Sequence, residues 1–119
     1  MSTNPAAASA SRLKLEVSDH DGVATVRLSG RLILAETAAF KDEVKRRIPQ
    51  TKRIVLDLTD LTFMDSSGLG ALVSLYVSAK AAGCELGLIN LNKQLRELLR
   101  FTRVLSLFEA CGQYPVRMP

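Results

Sequence analysis

A chain of 119 residues has room for one two-layer domain around a single core, and 47% hydrophobic with 24% charged residues excludes a wholly disordered polymer. The net charge of +4 favours acidic partners, but Arg46, Arg47, Lys52, Arg53, Arg96, Arg100 and Arg103 are interspersed with Glu36, Asp42, Glu43 and Glu97. Without a dense basic stripe interleaved with aromatics, direct nucleic-acid binding is not expected. No run approaches the roughly 20 apolar residues of a bilayer-spanning helix, so no membrane partner is expected either.

Residues 1–12 open with a small, polar run that lacks the basic start and leucine-rich middle of a secretory signal. A cytoplasmic location is therefore expected, with Cys84 and Cys111 reduced and serving as small core fillers. Their wide separation matches neither a CxxC redox pair nor a zinc pattern.

Leu13, Leu15 and Val17 alternate with Lys14 and Glu16, the period of a half-buried strand. Asp21-Gly22 is a turn signal, and Val23 to Leu28 resumes the alternation, so the two segments read as a hairpin. His20 falls at this turn, with no second histidine to share a metal. Gly30 is expected to break the strand. A helix is predicted from about Ala35 to Ile48, because Phe40, Val44 and Ile48 make one apolar stripe and Pro49 ends it. The nearly continuous apolar run Arg53 to Leu58 reads as a covered central strand, with Asp57 and Asp60 ending it and shaping the next turn.

A second helix is predicted over 71–82, with Leu69, Leu72, Val73, Tyr76 and Val77 as its buried face and Gly83 as its C-terminal cap. Glu85 to Asn90 reads as another strand. Asn92 caps a third helix through about Phe101, with Leu95, Leu98 and Leu99 inward. Val104 to Cys111 suggests a turn and a short edge strand. Helices between the later strands imply parallel pairing, and the hairpin adds an antiparallel pair.

Asp65-Ser66-Ser67-Gly68 lies at a strand-to-helix junction, where the first amides of a helix lack internal partners. Asp and Ser are good caps, and a capped helix with two small residues accounts for the composition. Yet glycine costs about 1 kcal/mol relative to alanine in a helix, and Gly68 and Gly70 both fall in the first turn. Their small size would let another protein approach the backbone. A phosphate on Ser66 would add about −1.5 to −2 charges at the positive end of the helix dipole. Catalytic alternatives lack their residues. G-x-S-x-G is missing its first glycine at Met64-Asp65, no GxxxxGK[ST] or GxGxxG occurs, and His20 is a poor triad member. A hydrolase or phosphatase built on Asp57, Asp60 and Asp65 is the weaker alternative.

The runs Ile54 to Leu58, Phe63-Met64-Asp65-Ser66-Ser67-Gly68-Leu69-Gly70 and Leu88-Ile89-Asn90 together resemble the STAS domain, specifically the bacterial anti-sigma factor antagonists. Gly30-Arg31-Leu32 and the ending Leu98 to Phe108 fit as well. The resemblance covers residues 13–111, leaving 1–12 as a flexible N-terminal extension and 112–119 as a C-terminal tail. It implies an α/β fold, a mixed β-sheet with helices packed beside it, in the order strand-strand-helix-strand-helix-strand-helix. It also implies a non-enzymatic partner switch with no cofactor or metal of its own. Such a protein binds an anti-sigma factor that is also a serine kinase, and phosphorylation of Ser66 ends the complex. A PP2C-type phosphatase reverses the mark. Asp65, Ser67, Gly68 and Leu69 would belong to the contact surface. Members often carry acidic residues after the glycine preceding the first helix, as in G-E-L-D, where this chain has Arg31 and Ile33. Other STAS domains are non-switching subunits of stressosomes or transport complexes, and that is the alternative role.

Overall fold

The computed structural model describes residues 13–102. Strands β1 (Lys14–His20) and β2 (Val23–Leu32) form the expected antiparallel hairpin, with His20 opposite Val23. Asp21 and Gly22 both adopt positive φ, 52° and 81°, which a two-residue turn of matching twist requires. His20 is exposed at this turn, beside Asp21.

Helix α1 (Leu34–Arg47) leads through a 3₁₀ turn at Ile48–Gln50, which contains Pro49, into β3 (Arg53–Met64). Helix α2 (Ser66–Ala81), β4 (Glu85–Ile89) and α3 (Lys93–Phe101) follow. The sheet runs β1-β2-β3-β4, with β2–β3 and β3–β4 parallel. One core joins Val26 and Leu28 of β2, Ile54 and Leu56 of β3, and Leu86 and Leu88 of β4 to the helices. Phe40 and Val44 of α1, Leu72 and Leu75 of α2, and Leu95 and Leu99 of α3 close over it. Cys84 is buried as expected, and loss of solvent pushes its thiol up from the usual range.

The helix ends follow their capping residues. Asn92 Oδ1 accepts the Leu95 N–H at 2.8 Å and starts α3. At the end of α2, Gly83 takes φ +74°, the Cys84 N–H reaches the Ala79 carbonyl at 2.9 Å, and the Gly83 N–H reaches that of Lys80 at 3.2 Å. This paired closure satisfies carbonyls that the helix leaves open.

Three expectations need correction. Gly30 does not end β2. It sits inside the strand at φ 103°, beside a register shift, and the strand continues to Leu32. Nor do Asp57 and Asp60 end β3. The pairs Arg27↔Asp57 and Ser29↔Asp60, then Gly30↔Leu61 and Arg31↔Phe63, each place one extra residue on β3. Each bulge flips the in-out phase of the strand, so the apolar alternation stops at Leu58 although the strand does not. Asp57 is tied instead to the Thr59 N–H (3.0 Å) and to Asn90 Nδ2 (3.1 Å), and Asp60 pairs with Arg27 at 2.8 Å. On α2, Val77 is 58% exposed, while Leu75 and Ala79 are buried. The buried face centres on Gly68, Leu72, Leu75 and Tyr76, with Leu69 and Val73 half-buried at its margin. The expected edge strand Val104–Cys111, the tail and Cys111 lie outside the described residues. Among the described residues no helix is long and apolar enough to cross a membrane, and no group of three His, Cys, Asp or Glu could hold a metal ion.

Candidate functional site

The long β3 brings its last residue, Met64, beside Leu32 at the end of β2. The next peptide extends the connection, because the Asp65 N–H donates to the Leu32 carbonyl at 3.2 Å. Asp65 keeps an extended backbone (φ −97°, ψ −175°), and the helix begins at Ser66. The Leu69 N–H donates to the Asp65 carbonyl at 3.1 Å and closes the first turn.

The Asp65 carboxylate starts two helices at once. Its Oδ1 accepts the Gly68 N–H of α2 at 3.0 Å, and its Oδ2 accepts the Leu34 N–H of α1 at 3.1 Å. Helix α1 needs this help because Ile33, at its own cap position, has no oxygen on its side chain and makes no capping bond. Each oxygen thus meets an amide that its helix cannot satisfy. The Gly68 N–H above all holds the Asp65 carboxyl below the usual carboxylate range. Desolvation opposes the shift, and the Leu34 and Ser67 amides and the Ser67 hydroxyl reinforce it.

A carboxyl held low stabilises the fold above its ordinary pKa of about 3.9, and that contribution is lost as pH falls through the lower folded value. Asp57 behaves alike: burial pushes its carboxyl up, but bonds from Thr59 and Asn90 outweigh this and leave it lowered. Thermal melting is therefore expected to be steady from neutral pH to about 5 and to drop below about 4. Asp65→Ala, which uncaps both helices, should lower Tm at neutral pH by roughly 5 °C or more and flatten the acid limb. Circular-dichroism melts across pH measure both effects. An unchanged Tm would contradict the double cap.

The residues after Asp65 divide by direction. Ser66 is exposed, Ser67 is half-buried against the Asp65 carboxylate, and Leu69 is half-buried. Gly68 is buried, and a Cβ there would lie 2.7 Å from the Leu32 carbonyl oxygen and 2.8 Å from Met64 Cγ. Its missing side chain thus lets α2 seat closely on β2 and β3. Gly70 is exposed, with nothing within 4 Å of where a Cβ would stand.

Two features were missed by sequence reasoning. The first is the Leu34–Asp65 bond, for which the signal was an apolar residue, Ile33, where α1 required a polar cap. The second is the Arg31 guanidinium, which lies 5.2 Å above the centre of the Phe63 ring, within the range of a cation–π contact. The register pairs these two residues across β2 and β3. Leu34 is 72% and Phe63 44% exposed, so the surface around Ser66 carries large apolar groups as well as hydroxyls.

The family model for the STAS domain matches residues 14–116. An anti-sigma F factor antagonist of Paenibacillus polymyxa is 36% identical over 89 residues, which span 73% of this chain and 76% of that protein. Among solved structures, an anti-sigma factor antagonist from Mycobacterium paratuberculosis superposes with a TM-score of 0.74 at 23% identity, covering 82% of this chain and 84% of that one. The unphosphorylated anti-sigma factor antagonist SpoIIAA gives a TM-score of 0.68 at 18% identity, covering 86% of this chain and all (100%) of that one. The Bacillus SpoIIAA has also been solved in a phosphorylated form, with a TM-score of 0.65 at 21% identity, covering 78% of this chain and 86% of that one. With its four-stranded mixed sheet, its strand-to-helix junction at Asp65 and these relatives, the chain belongs to the STAS domain family.

Proposed function

We infer that this chain is a cytoplasmic anti-sigma factor antagonist, which binds an anti-sigma factor with serine kinase activity and is switched off by phosphorylation at Ser66. The observation that carries the reading is the exposed Ser66 hydroxyl, one residue beyond a carboxylate that already occupies the first amides of α2. Those amides would otherwise receive an anion. With Asp65 bound to the Gly68 and Ser67 amides, a phosphate on Ser66 cannot take those two donors and meets the repulsion of the neighbouring carboxylate. The added dianion is presented to the partner and is not absorbed by the domain. Ser67, Leu69 and Gly70 would form the contact surface around it, with Asp65 and Gly68 holding the turn in place from behind. A PP2C-type phosphatase would reset the switch, and the chain itself performs no catalysis.

Incubation with an anti-sigma serine kinase, in the presence of ATP, should add one phosphate, which mass spectrometry maps to Ser66. Ser66→Ala should remain unmodified. Full phosphorylation of Ser66→Ala would overturn the assignment. Arg31 and Ile33, standing where the STAS resemblance implies frequent acids, motivate a second reading, a non-switching subunit of a stressosome or transport complex. Under that reading Ser66→Asp leaves the assembly intact in pull-downs.

A further inference from the structure

Beside the Ser66 turn, the surface is apolar and cationic together. Thr62, Phe63, Met64, Gln94, Leu95 and Leu98 line a groove of about 200 Å³ between the end of β3 and α3. An apolar cavity of roughly 150 Å³ accepts a benzene ring, so the groove has room for one aliphatic or aromatic side chain. Phe63 forms a wall of this groove and also carries the Arg31 guanidinium over its ring. The ion-paired arginines differ from Arg31. Arg27, Arg46, Arg47, Arg53 and Arg100 each face a carboxylate, whereas Arg31 is exposed and makes no ion pair among the described residues. A guanidinium over a ring can keep N–H donors available, and their planar fork matches a carboxylate. The net charge of +4 adds a favourable background for an acidic visitor.

We propose that the Phe63 groove and Arg31 together receive an acidic, apolar segment of a protein partner, with one apolar side chain in the groove and an adjacent carboxylate on the guanidinium. The contact depends on the antagonist reading only for which protein supplies that segment. It makes Arg31 a determinant of partner choice, because a basic segment would meet a like charge at the rim. Ser66 and the groove then act as separate parts of one surface: Ser66 decides when a partner binds, and Arg31 decides which.

The test uses the full chain, isotope-labelled for NMR, and two capped pentapeptides, Glu-Leu-Asp-Phe-Glu and its charge-reversed counterpart Lys-Leu-Lys-Phe-Lys. The acidic peptide should shift the Arg31 Nε–H, Phe63 ring and Leu98 methyl signals saturably, and the basic peptide should not. Arg31→Glu, an exposed substitution that leaves the core intact, should weaken the acidic peptide about tenfold or more, and Arg31→Lys should recover part of the loss. Equal binding of both peptides, or no saturable shift at these three residues, would overturn the proposal. A second arm measures the anti-sigma factor that phosphorylates this chain against Arg31→Glu and Ser66→Asp. A loss of about tenfold or more with Arg31→Glu supports the groove. Unchanged affinity for Arg31→Glu with lost affinity for Ser66→Asp overturns the groove and keeps the switch. Retained affinity for Ser66→Asp, with the acidic peptide still bound at the groove, overturns the switch and keeps the groove.

Discussion

Ser66→Asp is expected to weaken binding of the anti-sigma protein by about 100-fold or more, while Ser66→Ala binds within a few-fold of the wild type. The asymmetry follows from where the side chain stands. Alanine removes a hydroxyl from an exposed first-turn position and leaves the contact surface neutral. Aspartate adds a charge that a docked partner must strip of water. The Asp65 carboxylate already holds the Gly68 and Ser67 amides, so the new charge cannot share those two donors. An uncompensated charge at the centre of an interface costs about 2–5 kcal/mol, and each 1.4 kcal/mol is tenfold in affinity. Phosphate, with about −1.5 to −2 charges, should act more strongly than aspartate. Isothermal titration calorimetry on the three proteins measures the order. Equal affinities for Ser66→Asp and Ser66→Ala would remove the electrostatic basis of the switch.

The two glycines of the same turn should respond to alanine in opposite directions. At Gly68 the new Cβ would lie 2.7 Å from the Leu32 carbonyl oxygen, 2.8 Å from Met64 Cγ and 2.9 Å from Leu32 Cγ. The nearest obstacle is strand backbone, which cannot rotate aside, so α2 must lift from the sheet. Overpacking costs about 1–3 kcal/mol, and against fixed backbone it falls at the upper end, about 2–3 kcal/mol, of which the better helix propensity of alanine returns about 1 kcal/mol. Gly68→Ala is therefore expected to lower Tm by roughly 5–10 °C. At Gly70 nothing lies within 4 Å of the added carbon, so only the propensity gain remains, and stability should rise by about 0.4–1 kcal/mol. Thermal and urea melts of both variants decide the matter. A stabilised Gly68→Ala would mean that α2 is not seated on β2 through this glycine.

Where local chemistry decides structure, the sequence was legible. Asp21-Gly22 marked the hairpin, Asn92 the start of α3 and Gly83 the end of α2, because each needs only its own neighbours to act. The Asp65 cap at the strand-to-helix junction was legible for the same reason, although α2 starts at Ser66, ahead of the predicted residue 71. What escaped reading depends on distant partners. The end of β3 was hidden because two bulges against β2 reset the alternation after Leu58, and register belongs to the pair of strands. The buried face of α2 was ambiguous because Leu69, Leu72, Val73, Leu75, Tyr76 and Val77 place apolar groups nearly all around the helix. Seating Gly68 on Leu32 and Met64 sets its rotation, buries Leu75 and leaves Val77 outward. Likewise, the bond from Leu34 to Asp65 spans 31 residues, and no local pattern announces it beyond the apolar cap position of Ile33.

The most direct test is calorimetric binding of an anti-sigma factor with serine kinase activity to this chain before and after its phosphorylation. The account predicts a complex with the unmodified protein, no measurable binding once Ser66 carries phosphate, and recovery after treatment with a PP2C-type phosphatase. Equal affinity for the unmodified and Ser66-phosphorylated forms would contradict it.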